Sequence, residues 1–184
     1  VGEPPLEIRK TVHAMPFDSA RYLQSIGAPG EAGETGWTLL ERMWLRPTLE
    51  INGLWGGYQG PGTKTVIPCE AHAKITCRLV PGQRPDDIVA GIAAHLQAHC
   101  PRGVTVDVRP GDHGSEAYEI PGQHPGLALA EQILEEVYEQ KALRVRMGAT
   151  IPIGLIFRQI GAETVFFSFS TADEDYHAPN EFFR

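Results

Sequence analysis

The sequence predicts an α/β protein in which an α+β region, an antiparallel sheet with helices on one face, precedes an α/β segment. Residues 71–79 alternate strictly between small or apolar and polar side chains, as a half-buried strand does. Residues 85–99 carry apolar side chains at helical spacing. The stripe consists of Ile88, Val89, Ile92 and Leu96. Residues 165–169 form a compact apolar run, which is typical of a buried strand.

Two short helices are predicted ahead of the sheet. Asp18 can cap a helix that ends at Gly27. A second helix covers residues 39–44 and stops before Pro47, because the residue before a proline is disfavoured in the helical conformation. Residues 1–15 are rich in proline and charge and show no clear period, so no element is predicted there.

The sheet is predicted to have three strands in this region. On the first, the apolar face carries Leu49, Ile51 and Trp55, and the polar face carries Glu50 and Asn52. On the second, the apolar face carries Ala71, Ala73, Ile75, Cys77 and Leu79, and the polar face carries His72, Lys74, Thr76 and Arg78. A third strand is predicted from Val104 to Val108. The polar face is left for solvent, a partner or a substrate.

The remaining chain reads as a linker followed by α/β patterning. Residues 110–124 contain repeated proline and glycine and form the linker. A helix is predicted over 125–140 and a short one over 151–160, the latter starting at the turn 148–150. The run at 165–169 supplies the strand.

Composition excludes several classes of protein. The formal net charge of -7 repels nucleic-acid phosphates, so no nucleic-acid partner is expected. No apolar run is long enough to cross a bilayer, and the start is not a signal peptide, so no membrane partner is expected. Three cysteines without a CxxC pair favour reduced thiols and a cytoplasmic location.

Two segments hold candidate site residues, each with an ordinary alternative. His177 lies in the acidic loop 173–181 directly after a predicted strand, where an imidazole can bind a metal ion, although such loops are usually solvated turns. Arg78 projects from a rigid strand and suits bidentate binding of a carboxylate, although it can equally be a surface arginine.

Two further patterns have the same ambiguity. The turn Gly148-Ala149-Thr150 offers backbone N–H groups and a hydroxyl to a polar ligand, or simply caps the helix that follows. His95 and His99 lie four residues apart on one helix and can chelate a metal ion, or flank the apolar stripe without a ligand.

Three segments together resemble a known family. They read RPTLEINGLWGGYQGPGTKTVIPCEAHAKITCRLVPGQRPDDI, then RMGATIPI, then DEDYHAPNE. This order is similar to the zinc metallopeptidase family of carnosine-type dipeptidases, acetylornithine deacetylase and succinyl-diaminopimelate desuccinylase, with the dipeptidase branch nearest. The resemblance covers the chain from about His13 onward.

The resemblance implies a catalytic α/β domain interrupted by a lid domain that mediates dimerisation. Residues 1–112 would be the lid or dimerisation domain, incomplete at its N-terminal side, and residues 120–184 the C-terminal segment of the catalytic domain. It implies that Arg78, Gly148 and Thr150 bind substrate and that His177 binds metal. The family usually reads Gly-Gly-Ser-Ile-Pro where this chain has Ala149 and Thr150 after Gly148.

The resemblance also implies what this chain lacks. The family's other metal ligands and its general-base glutamate precede the lid, so no complete catalytic set is expected in these 184 residues. The implied protein is a homodimeric dipeptidase or amide hydrolase with two zinc ions, and this fragment alone is expected to be inactive and to hold zinc only weakly. A dimerisation or binding module without catalysis, and an N-acyl amino acid deacylase of the same family, remain alternatives.

Overall fold

The computed structural model describes residues 2–111, 114–148, 151–169, 174 and 179–183. The chain divides into two compact units, Val1–Glu119 with Arg144–Pro152 and Ile120–Leu143 with Ile153–Arg184. The described residues form six helices and one two-stranded antiparallel sheet, which confirms the predicted α+β architecture of the first region. Among them no helix is long and apolar enough to cross a membrane.

The first unit begins with three short helices, α1 (Leu6–His13), α2 (Ser19–Ser25) and α3 (Leu39–Leu45). The cap predicted for α2 is confirmed, since the Arg21 N–H donates to Asp18 Oδ1 over 3.0 Å. Helix α1 was not predicted. Its short apolar stripe becomes helical through packing on α3, because an isolated helix of this length is only marginally stable in water.

The core of the first unit lies between α1 and α3. Val12, Leu40 and Leu45 are buried there. They pack against the partly buried Ile8, Met15, Phe17 and Trp44. Burial of this apolar surface provides the main stabilisation of the helical part of the unit.

A charged residue, Glu41, is fully buried beside this core. Its carboxylate accepts hydrogen bonds from Arg9 Nε over 2.7 Å and from the Thr38 backbone N–H over 2.8 Å. The Thr38 hydroxyl in turn accepts from the Glu41 N–H, which completes a capping box at the start of α3. The spacing Thr38-x-x-Glu41 is the sequence signal for this box.

The electrostatics around Glu41 favour its ionised form. Burial alone would raise the pKa of Glu41, but the hydrogen bonds from Arg9 and Thr38 and the nearby His13 lower that pKa to about 2. His13 Nε2 lies 3.0 Å from Glu41 Oε1. The Arg9 guanidinium also lies over the Trp37 ring, 4.2 Å from its centroid. Glu41 therefore joins α1 to the start of α3.

The sheet consists of β1 (Thr48–Gly56) and β2 (Ala71–Arg78), followed by α4 (Pro85–Ala98). Both strands and the helix confirm the predicted positions. Ile88 and Ile92 of α4 line one groove with Leu49 of β1, so α4 lies on the apolar side of the sheet at this end. Farther along β1, Leu54 is 77% exposed, so the described residues leave that end of the apolar face uncovered.

Two predicted strands were wrong. No described residue pairs with 104–108, and Val104 there is 57% exposed. Residues 165–169 likewise form no strand among the described residues, and Phe169 is 64% exposed. The reason is physical: alternation or apolarity favours an extended segment, but a strand requires a second strand to complete its ladder of hydrogen bonds.

The second unit contains α5 (Pro125–Tyr138) and α6 (Ile153–Gln159), which confirms both predicted helices. His124 caps α5 by accepting from the Gly126 N–H over 3.1 Å. Helix α5 ends at Tyr138, because the next residue, Glu139, has a left-handed φ of 52° that prevents the helix from continuing.

Candidate functional site

Arg78 is the last residue of β2 and pairs with Thr48 of β1. Its side chain is exposed, and its guanidinium makes no hydrogen bond or ion pair with the residues that the structure describes. A guanidinium has five N–H donors in a planar fork, which matches the two oxygens of a carboxylate. Arg78 therefore has its full hydrogen-bonding capacity available to a ligand.

The polar face of the sheet beyond Ile51 differs from the predicted one because β1 contains a bulge. Asn52 is the extra residue, lying between the pairs Ile51–Ile75 and Gly53–Lys74. A one-residue shift in register moves every later side chain to the opposite face. The prediction that Trp55 lies on the apolar face with Leu49 and Ile51 was therefore wrong.

Trp55 instead lies on the polar face opposite His72. The two rings are stacked, with centroids 5.0 Å apart and planes 9° from parallel. Lys74 Nζ lies 5.9 Å from the Trp55 centroid, and His72 Nε2 lies 3.2 Å from Glu70 Oε2. The polar-face position of His72 and Lys74 was predicted from the sequence, but the presence of Trp55 beside them was missed. A glycine inside a strand pattern, here Gly53, is the signal for a bulge that could have revealed it.

Gly148 is described, and it approaches helix α3 closely. A Cβ atom added at Gly148 would collide with the backbone carbonyl oxygen of Met43. The segment that carries Gly148 is held within the first unit by an ion pair, since Arg146 Nη1 lies 2.5 Å from Glu119 Oε1. A glycine is thus required at 148 by packing, independently of any ligand.

This contact makes a prediction for Gly148→Ala. The added methyl group meets a helix backbone atom, which cannot rotate away, so we expect the free energy of unfolding to fall by about 1–3 kcal/mol. Gly111→Ala is the matched control, since nothing lies within 4 Å of a Cβ added at Gly111. Urea unfolding followed by tryptophan fluorescence measures both variants. Equal stability of the two variants would contradict the close approach to Met43.

Two of the predicted site residues, Thr150 and His177, lie outside the described residues. The structure therefore describes Arg78 and Gly148 of the predicted set. Close to His177 in sequence, Glu174 is described and buried, and its backbone carbonyl accepts from the Phe182 N–H over 3.2 Å.

A metal cage does not form from the described residues alone. Within the described ranges, no three His, Cys, Asp or Glu side chains converge as metal ligands would. The described residues by themselves therefore do not supply the ligand set of a tightly held zinc ion.

The three cysteines, Cys69, Cys77 and Cys100, are free thiols. Burial and then the negative charge of Glu50 raise the pKa of Cys77. A raised pKa keeps the thiol protonated near neutral pH, and the protonated form is a poor nucleophile.

The described helices and the two-stranded antiparallel sheet define an α+β protein. The chain belongs to the M20 peptidase family: residues 7–104 match the family model described as a peptidase dimerisation domain. This membership confirms the resemblance inferred from the sequence motifs.

Individual relatives are dipeptidases. The chain is 30% identical over 152 residues to Beta-Ala-His dipeptidase of Mus musculus, covering 78% of this chain and 30% of that protein. It is 25% identical over 149 residues to Cys-Gly metallodipeptidase DUG1 of Candida albicans, covering 78% of this chain and 30% of that protein. The crystal structure of human carnosine dipeptidase 1 matches with a TM-score of 0.76 and 25% identity, covering 97% of this chain and 39% of that one. The chain thus spans about a third of the length of these relatives.

Proposed function

We propose that this chain is part of a zinc-dependent dipeptidase, with residues 1–112 forming the lid or dimerisation domain and residues 120–184 a C-terminal segment of the catalytic domain. The observation that carries the proposal is the family match over residues 7–104, together with similarity to dipeptidases that extends over most of the chain. The whole protein would hydrolyse dipeptides or related amides as a cytoplasmic homodimer, and three free thiols are compatible with that compartment.

Within this proposal, Arg78, Gly148 and Thr150 bind the substrate and His177 binds one of two zinc ions. Arg78 is exposed and its guanidinium has no partner among the described residues, which supports binding of an anionic group. The anionic group is the carboxylate of a dipeptide or the oxyanion that develops at the scissile carbonyl. In the first case Arg78 fixes the orientation of the substrate, and in the second it stabilises the transition state.

The test compares the 184-residue chain with the product of the complete gene, using β-Ala-His, Cys-Gly and an N-acetyl amino acid as substrates. We expect no hydrolysis by the chain alone, since it lacks a base and most metal ligands. We expect hydrolysis of the dipeptides by the complete product, loss of it on chelation and recovery with zinc.

The other outcomes separate the alternatives. Metal-dependent hydrolysis by the chain alone would refute the proposal that its catalytic site is incomplete. Faster hydrolysis of the N-acetyl amino acid would favour a deacylase. An inactive complete product that still dimerises would favour an assembly module, a candidate that the dimerisation-domain match itself supports.

A further inference from the structure

A pair of histidines occupies the C-terminal end of α4. His95 lies in the last turn and His99 is the residue that caps the helix. Residues four apart on a helix lie on the same face. Both side chains are exposed, and their ring centroids are 4.2 Å apart with planes tilted by 31°. The two imidazoles are therefore held close together on the surface of the first unit.

The hydrogen bonding of His99 fixes which ring nitrogen can bind a ligand. His99 Nδ1 lies 2.8 Å from the backbone carbonyl oxygen of His95. A carbonyl oxygen only accepts hydrogen bonds, so Nδ1 carries the proton and, in the neutral ring, the lone pair lies on Nε2. Histidine ligands of metals commonly donate their second N–H to a backbone carbonyl in this way. The His95 ring makes no hydrogen bond with any described residue, so its nitrogens remain available.

The separation of the rings is compatible with both imidazoles binding one ion. With metal–nitrogen distances of about 2.0 Å, two imidazoles bound at a right angle have centroids about 4.5 Å apart, whereas tetrahedral binding places them about 5.2 Å apart. The observed 4.2 Å is within about 1 Å of both values, so a small rotation of the exposed rings allows both to bind one ion. Among divalent first-row ions, Ni²⁺ and Cu²⁺ have high affinity for imidazole sites.

The adjacent Cys100 does not complete a three-residue site. Its Sγ donates to the carbonyl oxygen of Val104 over 3.3 Å. No third His, Cys, Asp or Glu side chain joins the histidines within the described ranges. The remaining coordination positions would be filled by water, and the net charge of -7 favours accumulation of cations near the surface.

We propose that His95 and His99 form a two-histidine surface site for a divalent transition-metal ion with high affinity for imidazole, Cu²⁺ or Ni²⁺. The site is independent of the proposed dipeptidase function and of His177. Two imidazoles that bind one ion act as a chelate, in which the second bond forms at a high effective concentration. Replacement of either histidine leaves a single imidazole ligand and removes this chelate effect.

The experiment titrates the untagged, metal-free 184-residue chain with Ni²⁺ by isothermal calorimetry. His95→Gln and His99→Gln are each expected to weaken Ni²⁺ binding on the order of 10²-fold. His72→Gln is the matched control, an exposed histidine on β2. His177→Ala removes the proposed zinc ligand, and both of these variants are expected to bind Ni²⁺ as the unmodified chain does.

The proposal is overturned if either α4 variant retains the original affinity for Ni²⁺, or if His177→Ala alone abolishes binding. Circular dichroism separates loss of a ligand from loss of the helix. A second measurement follows the imidazole proton resonances during addition of Ni²⁺, which is paramagnetic. Selective broadening of the His95 and His99 signals is expected, and broadening confined to other histidines would overturn the site.

Discussion

Replacement of Glu41 with alanine is expected to lower the free energy of unfolding by about 3 kcal/mol. The variant removes the buried carboxylate that the partly buried Arg9 contacts over 2.7 Å, and it removes half of the capping box at Thr38. Removing one member of a buried ion pair is costly because the other charge stays desolvated. Glu7→Gln is the matched control: Glu7 pairs with Lys10 on the surface, where such pairs contribute about 0–1 kcal/mol.

The second variant, Glu41→Gln, removes the negative charge of residue 41 while keeping the size of its side chain. Comparison with the unmodified chain is expected to show a stability difference that depends on pH. The introduced amide can still accept the Thr38 N–H bond but cannot neutralise Arg9. The folded-state pKa of Glu41 is lowered to about 2, so its ionised form contributes stability above its unfolded-state pKa and loses it as the pH falls toward 2. The shift corresponds to a contribution of about 3 kcal/mol at neutral pH.

The measurement is urea unfolding of the unmodified chain and of Glu41→Gln at several pH values, followed by tryptophan fluorescence. Trp37, Trp44 and Trp55 all lie in the first unit, so the signal reports the unit that contains Glu41. The stability difference between the two proteins is expected to be largest at pH 7 and to shrink progressively below about pH 4. A difference that stays constant down to pH 2 would show that Glu41 is not held ionised by its neighbours.

Replacement of Arg78 with alanine is expected to reduce kcat/KM for dipeptide hydrolysis by about 10²–10³-fold in the complete gene product. The expectation rests on the proposed function, in which Arg78 binds the substrate carboxylate or the developing oxyanion. Arg78→Lys keeps the charge but loses the planar fork, so an intermediate reduction is expected. Separate measurement of kcat and KM for Arg78→Ala distinguishes the two roles proposed for Arg78. Loss of oxyanion stabilisation lowers kcat, whereas loss of carboxylate binding mainly raises KM.

Arg109→Ala is the control for Arg78, because Arg109 is 87% exposed and pairs only locally with Asp107 over 2.7 Å. Arg78 makes no hydrogen bond or ion pair within the described residues, so its replacement is expected to change stability by less than about 0.5 kcal/mol. Full activity of Arg78→Ala would remove Arg78 from the site. A large loss of stability with proportionate loss of activity would instead indicate a structural role.

Strand β2 and helix α4 could be predicted from the sequence because their patterns are local. Nine residues of strict alternation and a four-residue apolar stripe specify which side chains share a face before any tertiary contact forms. The cap at Asp18 is equally local, since it depends on a hydrogen bond to a residue three positions along the chain.

The two-residue alternation of side chains along β1 does not by itself predict the face on which Trp55 lies. Strict alternation places Trp55 with Leu49 and Ile51, but the pairing of β1 with β2 accommodates an extra residue at Asn52 and reverses the assignment. The stack with His72 follows from that register. Helix α1 similarly depends on its partner, since Val12 is buried only by packing against α3.

By itself, the sequence determined the family of this chain, the positions of its main helices and of the two strands, and the placement of Arg78 on the polar face of β2. These follow from motifs and from periods of two and 3.6, which are fixed by backbone geometry. Only the tertiary structure decided that Trp55 joins that polar face, that Glu41 is ionised within a buried cluster, and that residues 104–108 form no strand among those described. These depend on which segments meet in space, because register, burial and pairing are properties of contacts rather than of any one segment.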